Sequence, residues 1–129
     1  MQEVPYGEVF LINKPLEWTS FDVVKKVRNA LKIKKVGHAG TLDPLATGLL
    51  IVCAGKMTKQ IEGFMGQEKE YEGTFVLGET TESFDLEKPV EFVADASEIK
   101  LEDVKRAAAE LTGNILQIPP MHSAIKVDG

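Results

Sequence analysis

The sequence predicts an α+β fold. Short apolar runs of strand length are mixed with segments that repeat apolar residues at helical spacing, and the mixture lacks the regular βαβ rhythm of an α/β protein. The chain has 129 residues, of which 43% are hydrophobic and 27% charged, and this balance suits one globular domain with a packed core. It excludes collagen-like, mucin-like and wholly disordered proteins.

Several protein classes are excluded by what the sequence lacks. No apolar run is long enough to span a bilayer, and the amino terminus has neither the basic start nor the apolar stretch of a signal peptide, so we expect a cytoplasmic protein without a membrane partner. Cys53 is the only cysteine, and His38 and His122 lie far apart, so we expect neither a disulfide nor a metal site. Phosphate-loop, dinucleotide and serine-elbow motifs are missing, which predicts an activity without a cofactor.

The first third of the chain predicts a strand and a helix. Glu8 to Asn13 is an apolar run before Lys14-Pro15, and it predicts a buried strand that ends at the proline. Thr19-Ser20 offers oxygens for a helix N-cap, and Asp22 stands three residues after Thr19 as in a capping box. Valines at helical spacing then predict a helix from about Phe21 to Lys32.

The middle of the chain predicts a loop between buried strands. Three glycines and a proline between Gly37 and Gly48 disfavour regular structure over most of that segment. Leu49 to Ala54 predicts a buried strand, after which Thr58 is expected to cap a short helix that runs toward Met65. Tyr71 to Leu77 alternates apolar and polar residues and predicts a half-buried strand.

The last third is less regular. Residues 79–100 are acidic and predict no regular element. Val104 to Leu111 predicts a second helix with Gly113 as its C-cap glycine. Ile115 to Ile118 and Ala124 to Val127 predict two more strands around a rigid Pro119-Pro120 turn.

Charge is unevenly distributed along the chain. The net charge is −5, yet residues 1–70 carry ten Lys/Arg and eight Asp/Glu, whereas residues 71–129 carry five and twelve. Six basic residues fall between Lys25 and Lys35 without an acid among them. Such a cluster is either a phosphate-binding surface or the solvated face of a helix.

The glycine-rich loop contains the best candidates for chemistry. Asp43 precedes Pro44, which holds the Asp43 backbone extended and makes the turn rigid. A carboxylate held in this way can act as a nucleophile or a general base, although Asp-Pro near glycine is also ordinary turn chemistry. His38 in the same loop has a similar alternative, namely a hydrogen-bonded structural histidine.

Four segments together resemble one family, tRNA pseudouridine synthase B. They follow the family's order along nearly the whole chain: the opening motif at Asn13–Asp22 (NKPLEWTSFD), the catalytic motif at Gly37–Leu50 (GHAGTLDPLATGLL), the tyrosine motif at Lys69–Tyr71 with Leu77-Gly78, and a later structural motif from Gly113 to Lys126. The resemblance implies a pseudouridine synthase-like core, with a mixed and mainly antiparallel sheet flanked by helices. It also implies that a T-loop uridine of tRNA (uridine 55) is isomerised to pseudouridine by a monomer that needs no cofactor or metal.

The resemblance implies a role for each of five residues. Asp43 matches the catalytic aspartate, which acts as the nucleophile or a close equivalent. His38 matches a histidine that helps to hold the flipped nucleotide, and Tyr71 matches a tyrosine that stacks on the target base and is proposed to take part in proton transfer. Lys14 and Pro15 match a motif that braces the catalytic loop.

The chemistry of these residues suits the reaction that the resemblance implies. Pseudouridine formation breaks the N1–C1′ bond, turns the base and joins C5 to C1′, and a carboxylate can attack or stabilise the sugar carbon or instead act on the base. Two other hypotheses remain: a non-catalytic RNA-binding module that uses the basic helix from Lys25 to Lys35, and a small structural domain whose loop is only a turn.

The resemblance finally implies that residues 1–129 are the N-terminal portion of a catalytic domain. In the family, the continuing part supplies an arginine that pairs with the catalytic aspartate, further strands and a C-terminal RNA-binding domain. We expect these to be absent from this chain, and we expect the 129 residues alone to be inactive.

Overall fold

The computed structural model describes residues 7–118, and the chain divides into two compact units, Met1–Tyr71 and Glu72–Gly129. The described elements of the first unit are β1 (Glu8–Lys14), α1 (Ser20–Leu31), β2 (Val36–Ala39), β3 (Gly48–Ala54), a 3-10 helix (Gly55–Gln60) and α2 (Ile61–Met65). Those of the second unit are β4 (Glu79–Thr80), β5 (Glu91–Phe92) and α3 (Leu101–Glu110). Both sheets are antiparallel, which confirms the predicted α+β class.

The first unit is built on a three-stranded sheet in the order β1-β3-β2. The strand β3 pairs antiparallel with both neighbours, so that Lys14 at the end of β1 lies opposite Gly48 at the start of β3. Alternate residues of β3 face the core, since Leu50 is 2% exposed whereas Leu49 is 63% exposed. The core therefore lies on one face of the sheet, where α1 also packs.

The helix α1 covers that face through its valines. Val23 and Val24 are buried and share a cluster with Leu50 and Val52 of β3. The helix begins as the sequence predicts, because Thr19 and Asp22 form a capping box. The Asp22 amide donates to the Thr19 hydroxyl at 3.1 Å, and the Asp22 carboxylate accepts from the Thr19 amide at 2.9 Å.

Two local predictions for the first unit need correction. Residues 40–47 form the predicted loop, but the start of that segment is a strand: β2 (Val36–Ala39) pairs with the edge of β3, and this pairing outweighs the loop-forming glycines. Thr58 does not cap a helix; its hydroxyl donates to the Gly55 carbonyl at 2.8 Å within the 3-10 helix.

The second unit, and Tyr71 just before it, also depart from the sequence pattern. Residues 79–100 contain the short antiparallel strands β4 and β5, although their sequence predicts no regular element, because this pairing is a contact between distant positions. Tyr71 to Leu77 has no regular structure and its residues are exposed, because no strand pairs with it among the described residues. Ile115 to Ile118 likewise forms no strand. The helix α3 confirms the second predicted helix, but Leu111 is its C-cap, and Gly113 adopts a positive φ of 101° two residues later. Pro119-Pro120 and the strand predicted at 124–127 lie outside the described residues.

None of the helices within residues 7–118 is both long and apolar enough to cross a membrane.

The packing of β3 can be tested with two neighbouring leucines. Leu50→Ala removes a side chain from the core, and we expect the free energy of unfolding to fall by about 2–5 kcal/mol. Leu49→Ala is the matched control on the opposite face of the strand, and its effect should stay within about 0.5 kcal/mol. The free energy of unfolding of both variants is measured by urea titration, monitored through the fluorescence of Trp18, the single tryptophan. Equal effects would contradict the orientation of β3.

The capping box can be tested with acid. Hydrogen bonds from the Thr19 side chain and backbone hold the pKa of the Asp22 carboxyl below its ordinary value. Such a group stabilises the fold above its unfolded-state pKa, and this contribution is lost as the pH falls through the folded-state pKa. We expect Asp22→Asn to lower the urea midpoint near neutral pH and to have no effect at about pH 2. A difference that does not change with pH would contradict the capping role.

Candidate active site

Three segments converge where β1 ends and β3 begins. They are the turn at 15–18, the first residue of α1, and the loop at 40–47 that joins β2 to β3. The sheet register brings them together, because Lys14 pairs with Gly48, the residue that follows the loop. The glycines at the borders of the loop, Gly40 and Gly48, have φ of 97° and 114°, which side chains with a Cβ rarely adopt.

Lys14 fastens the turn to the loop. It is the last residue of β1, and its exposed fraction is 0%. Its Nζ donates to three carbonyl oxygens, at 3.0 Å to Pro15, 2.5 Å to Trp18 and 3.2 Å to Pro44. An ammonium group has three donors, so this set satisfies a buried cation that would otherwise be costly.

The Pro44 carbonyl is the acceptor that the turn and the loop share. Besides the bond from Lys14, it accepts a bond of 2.8 Å from the amide of Glu17. Glu17 reaches it in a left-handed conformation, with φ of 66°. The loop closes a turn of its own, since the Ala46 amide donates to the Asp43 carbonyl at 3.0 Å.

Ser20 holds the loop on the other side of Asp43. It is buried, and its Oγ both accepts a bond of 2.9 Å from the Leu42 amide and donates one of 3.2 Å to the Leu42 carbonyl. By its capping pattern, the sequence indicates Ser20 only as a possible helix cap. One other feature of the sequence indicates a further role for Ser20. Thr19 and Ser20 are adjacent hydroxyl residues, and because a helix has one N-cap, the second hydroxyl is left for another partner.

Asp43 therefore lies between two residues whose peptide groups are fixed. Leu42 is bound by Ser20, and Pro44 is bound by Lys14 and Glu17. The Asp43 side chain is exposed, and within residues 7–118 it forms neither a hydrogen bond nor an ion pair. A carboxylate on a rigid backbone with free oxygens is suited to react with a group that docks from solvent.

His38 is attached to the start of the same loop. Its Nδ1 lies 2.6 Å from the Gly40 carbonyl oxygen. A carbonyl can only accept, so Nδ1 carries the hydrogen in this contact. In the neutral ring, Nε2 is then the acceptor, and it is available to a ligand.

Tyr71 forms no hydrogen bond with the loop among the described residues. It lies in irregular structure with 70% of its surface exposed. The structure thus joins Lys14 to the carbonyls of Pro15 and of Pro44, the residue after Asp43, and attaches His38 to the same loop. Among the described residues, no group of three or more His, Cys, Asp or Glu side chains could hold a metal ion.

Comparison with known proteins gives consistent matches. Residues 28–129 match the family model described as "TruB family pseudouridylate synthase (N terminal domain)". A tRNA pseudouridine synthase B from Parabacteroides distasonis is 54% identical over 129 aligned positions, which cover 95% of this chain and 55% of the relative. A tRNA pseudouridine synthase B from Flavobacterium johnsoniae is 47% identical, with 99% and 59% covered.

A solved structure also matches. One chain in the crystal structure of a Cbf5–Nop10–Gar1 complex superposes on 94% of this chain with a TM-score of 0.61 and 25% sequence identity, and 31% of that chain is covered. The fold and the loop thus define a pseudouridine synthase core. The chain belongs to the TruB family of pseudouridylate synthases, and it spans about half the length of the curated relatives that it matches.

The role of Lys14 can be tested by hydrogen exchange. Lys14→Met removes the donor that three carbonyls share, and we expect the free energy of unfolding to fall by about 1–3 kcal/mol. The amides of Glu17 and Ala46 should exchange faster, because their hydrogen bonds belong to the turn and loop that Lys14 connects. Lys88→Met at an exposed site is the control. Unchanged exchange at both amides would show that Lys14 does not hold the loop.

Proposed function

We propose that this chain carries the catalytic loop of a tRNA pseudouridine synthase that isomerises a T-loop uridine (uridine 55), with Asp43 as the nucleophile. One observation carries the proposal: the Asp43 carboxylate is exposed and unpaired among the described residues, while the peptide groups on both sides of it are bound by Lys14 and Ser20. The names of the relatives, tRNA pseudouridine synthase B, support the same reaction.

The reaction needs only groups that this loop can supply. The bond from N1 to C1′ breaks, the base turns, C5 bonds to C1′, and the proton that C5 loses is balanced by the proton that N1 gains. Substrate and product are isomers, so no co-reactant is consumed. A carboxylate can bond to C1′ as the base departs and leave when C5 attacks, as carboxylates do in glycoside hydrolysis.

The other site residues are proposed to hold the substrate and the loop. His38 would contact the flipped nucleotide through Nε2, and the exposed ring of Tyr71 would stack on the target base. Lys14 and Pro15 would support the loop, because the Lys14 ammonium joins the Pro15 and Pro44 carbonyls. Preorganisation of this kind matters because a misplacement of about 1 Å can slow a reaction about a hundredfold.

We further propose that residues 1–129 form the N-terminal portion of the catalytic domain, and that turnover needs a further segment of the kind present in the relatives. The relatives support this, since 55% of the Parabacteroides distasonis protein aligns with 95% of this chain. We propose a cytoplasmic monomer that acts on the stem-loop of the tRNA T-arm.

The proposal is tested by joining residues 1–129 to the unmatched remainder of the Parabacteroides distasonis relative; we call this protein the hybrid. Conversion of the uridine in a T-arm stem-loop RNA is measured at saturating protein as tritium released from uridine labelled at C5, because C5 loses its hydrogen in the reaction. The hybrid should convert the uridine, and the 129-residue chain alone should not.

The role of Asp43 is tested in the hybrid. Asp43→Asn should lower conversion by at least about a thousandfold, because the nucleophile is lost, while RNA affinity stays within about twofold. Glu68→Gln is the control for removing an exposed carboxylate of the same unit. Conversion that survives Asp43→Asn would refute Asp43 as the nucleophile, and RNA binding without conversion by the unaltered hybrid would favour a binding module.

A further inference from the structure

We propose that the outer side of α1 binds the RNA backbone next to the nucleotide that enters the Asp43 loop. Trp18, Lys25, Lys26 and Asn29 form this surface, which we call the α1 basic face. The inference rests on the proposed function and adds to it a surface for phosphates of the substrate.

The α1 basic face lies opposite the side of α1 that packs on the sheet. Val23 and Val24 are buried in the core, whereas Lys25, Lys26 and Asn29 are exposed. Residues three and four positions apart share one side of a helix, so these three side chains lie together. With Trp18 and Asp22 they line a shallow depression at the start of the helix.

The lysines of this surface are available to an anion. Within residues 7–118, neither Lys25 nor Lys26 forms a salt bridge. Asp22 is the acid of the depression, and its carboxylate already accepts bonds from the Thr19 amide and hydroxyl. Three more exposed lysines follow between α1 and β2, namely Lys32, Lys34 and Lys35. This end of the chain thus attracts a polyanion, although the whole chain carries a charge of −5.

Trp18 adds a group that favours a nucleic acid over other polyanions. Its side chain is 38% exposed beside the lysines, and its carbonyl is bound by the Lys14 ammonium. Aromatic rings next to a basic groove are typical of sites for single-stranded nucleic acid, where bases stack and cations follow the backbone. An acidic protein would also bind the lysines, but it has no bases to stack on the Trp18 ring and would gain less affinity from it.

The position of the surface suits a phosphate near the reacting nucleotide. Ser20 begins α1 and binds Leu42, the residue before Asp43. A helix rises about 1.5 Å per residue, so Lys25 and Lys26 lie roughly 8–9 Å along the axis from Ser20. RNA whose uridine reaches Asp43 therefore passes close to the α1 basic face.

Salt dependence of binding tests the inference. The dissociation constant of the hybrid for a T-arm stem-loop RNA is measured by fluorescence anisotropy between about 50 and 200 mM KCl. For the double variant Lys25→Gln/Lys26→Gln we expect weaker binding and a slope of log affinity against log salt that is smaller by about 1.4, because two phosphate contacts are lost. Lys88→Gln/Lys105→Gln removes the same charge from the second unit and should leave the slope unchanged.

The variant Trp18→Leu distinguishes the contribution of base stacking to RNA affinity from that of the lysine charges. We expect affinity to fall about fivefold or more at every salt concentration, with the slope unchanged, because a ring binds bases and not phosphates. The inference is overturned if the lysine double variant keeps the slope of the unaltered hybrid, or if the slope of the control variant falls by the same amount. It is also overturned if polyglutamate displaces labelled RNA from the hybrid as well as unlabelled RNA of equal charge does.

Failure of this inference can be distinguished from failure of the proposed function. The control variant Lys88→Gln/Lys105→Gln should retain full conversion at saturating protein, because neither residue belongs to the α1 basic face or to the loop at 40–47. If the hybrid converts uridine and the slope does not change, only the α1 basic face is refuted. If the unaltered hybrid converts no uridine at any salt concentration, the proposed function is refuted and this inference falls with it.

Discussion

The buried ammonium of Lys14 is the interaction on which the geometry of the site depends. A cation without exposed surface is stable only if its donors are satisfied, and here three backbone carbonyls satisfy them. Two of those carbonyls belong to the turn after β1, and the third belongs to Pro44 in the distant loop. Because Lys14 is itself paired in the sheet opposite Gly48, the loop is tied to the three-stranded sheet. Replacement by a neutral side chain would release both segments together.

Ser20 complements Lys14 from the helix side, and the two contacts have different chemistry. Lys14 binds the residue after Asp43 with a charged donor, whereas Ser20 binds the residue before it with one hydroxyl that both accepts and donates. Every one of these contacts is made to backbone, so the carboxylate of Asp43 itself remains uncommitted. A loop that is rigid in its peptide groups and open at its side chain can position a reactive oxygen without neutralising it.

Local patterns in the sequence predicted the elements that carry strong periodicity. The strands β1 and β3, the helix α1 and its Thr19 cap were foreseen because apolar spacing and capping chemistry are local signals. The strand β2 was missed because its pairing with β3 is a tertiary contact that outweighs the glycines. The Asp43 loop was recognised as a candidate site, yet its attachment could not be derived, because Lys14 and Pro44 are thirty positions apart and only the sheet register brings them together.

The claim that the fixed peptide groups around Asp43 serve catalysis is tested most directly by one rate constant. In the hybrid, the single-turnover rate of uridine conversion is measured for Ser20→Ala, with Thr19→Ala as the neighbouring hydroxyl that caps α1 without touching the loop. We expect Ser20→Ala to slow conversion by about tenfold to a hundredfold at unchanged RNA affinity, and Thr19→Ala to keep the rate. A Ser20→Ala hybrid that converts uridine at the unaltered rate would contradict the claim.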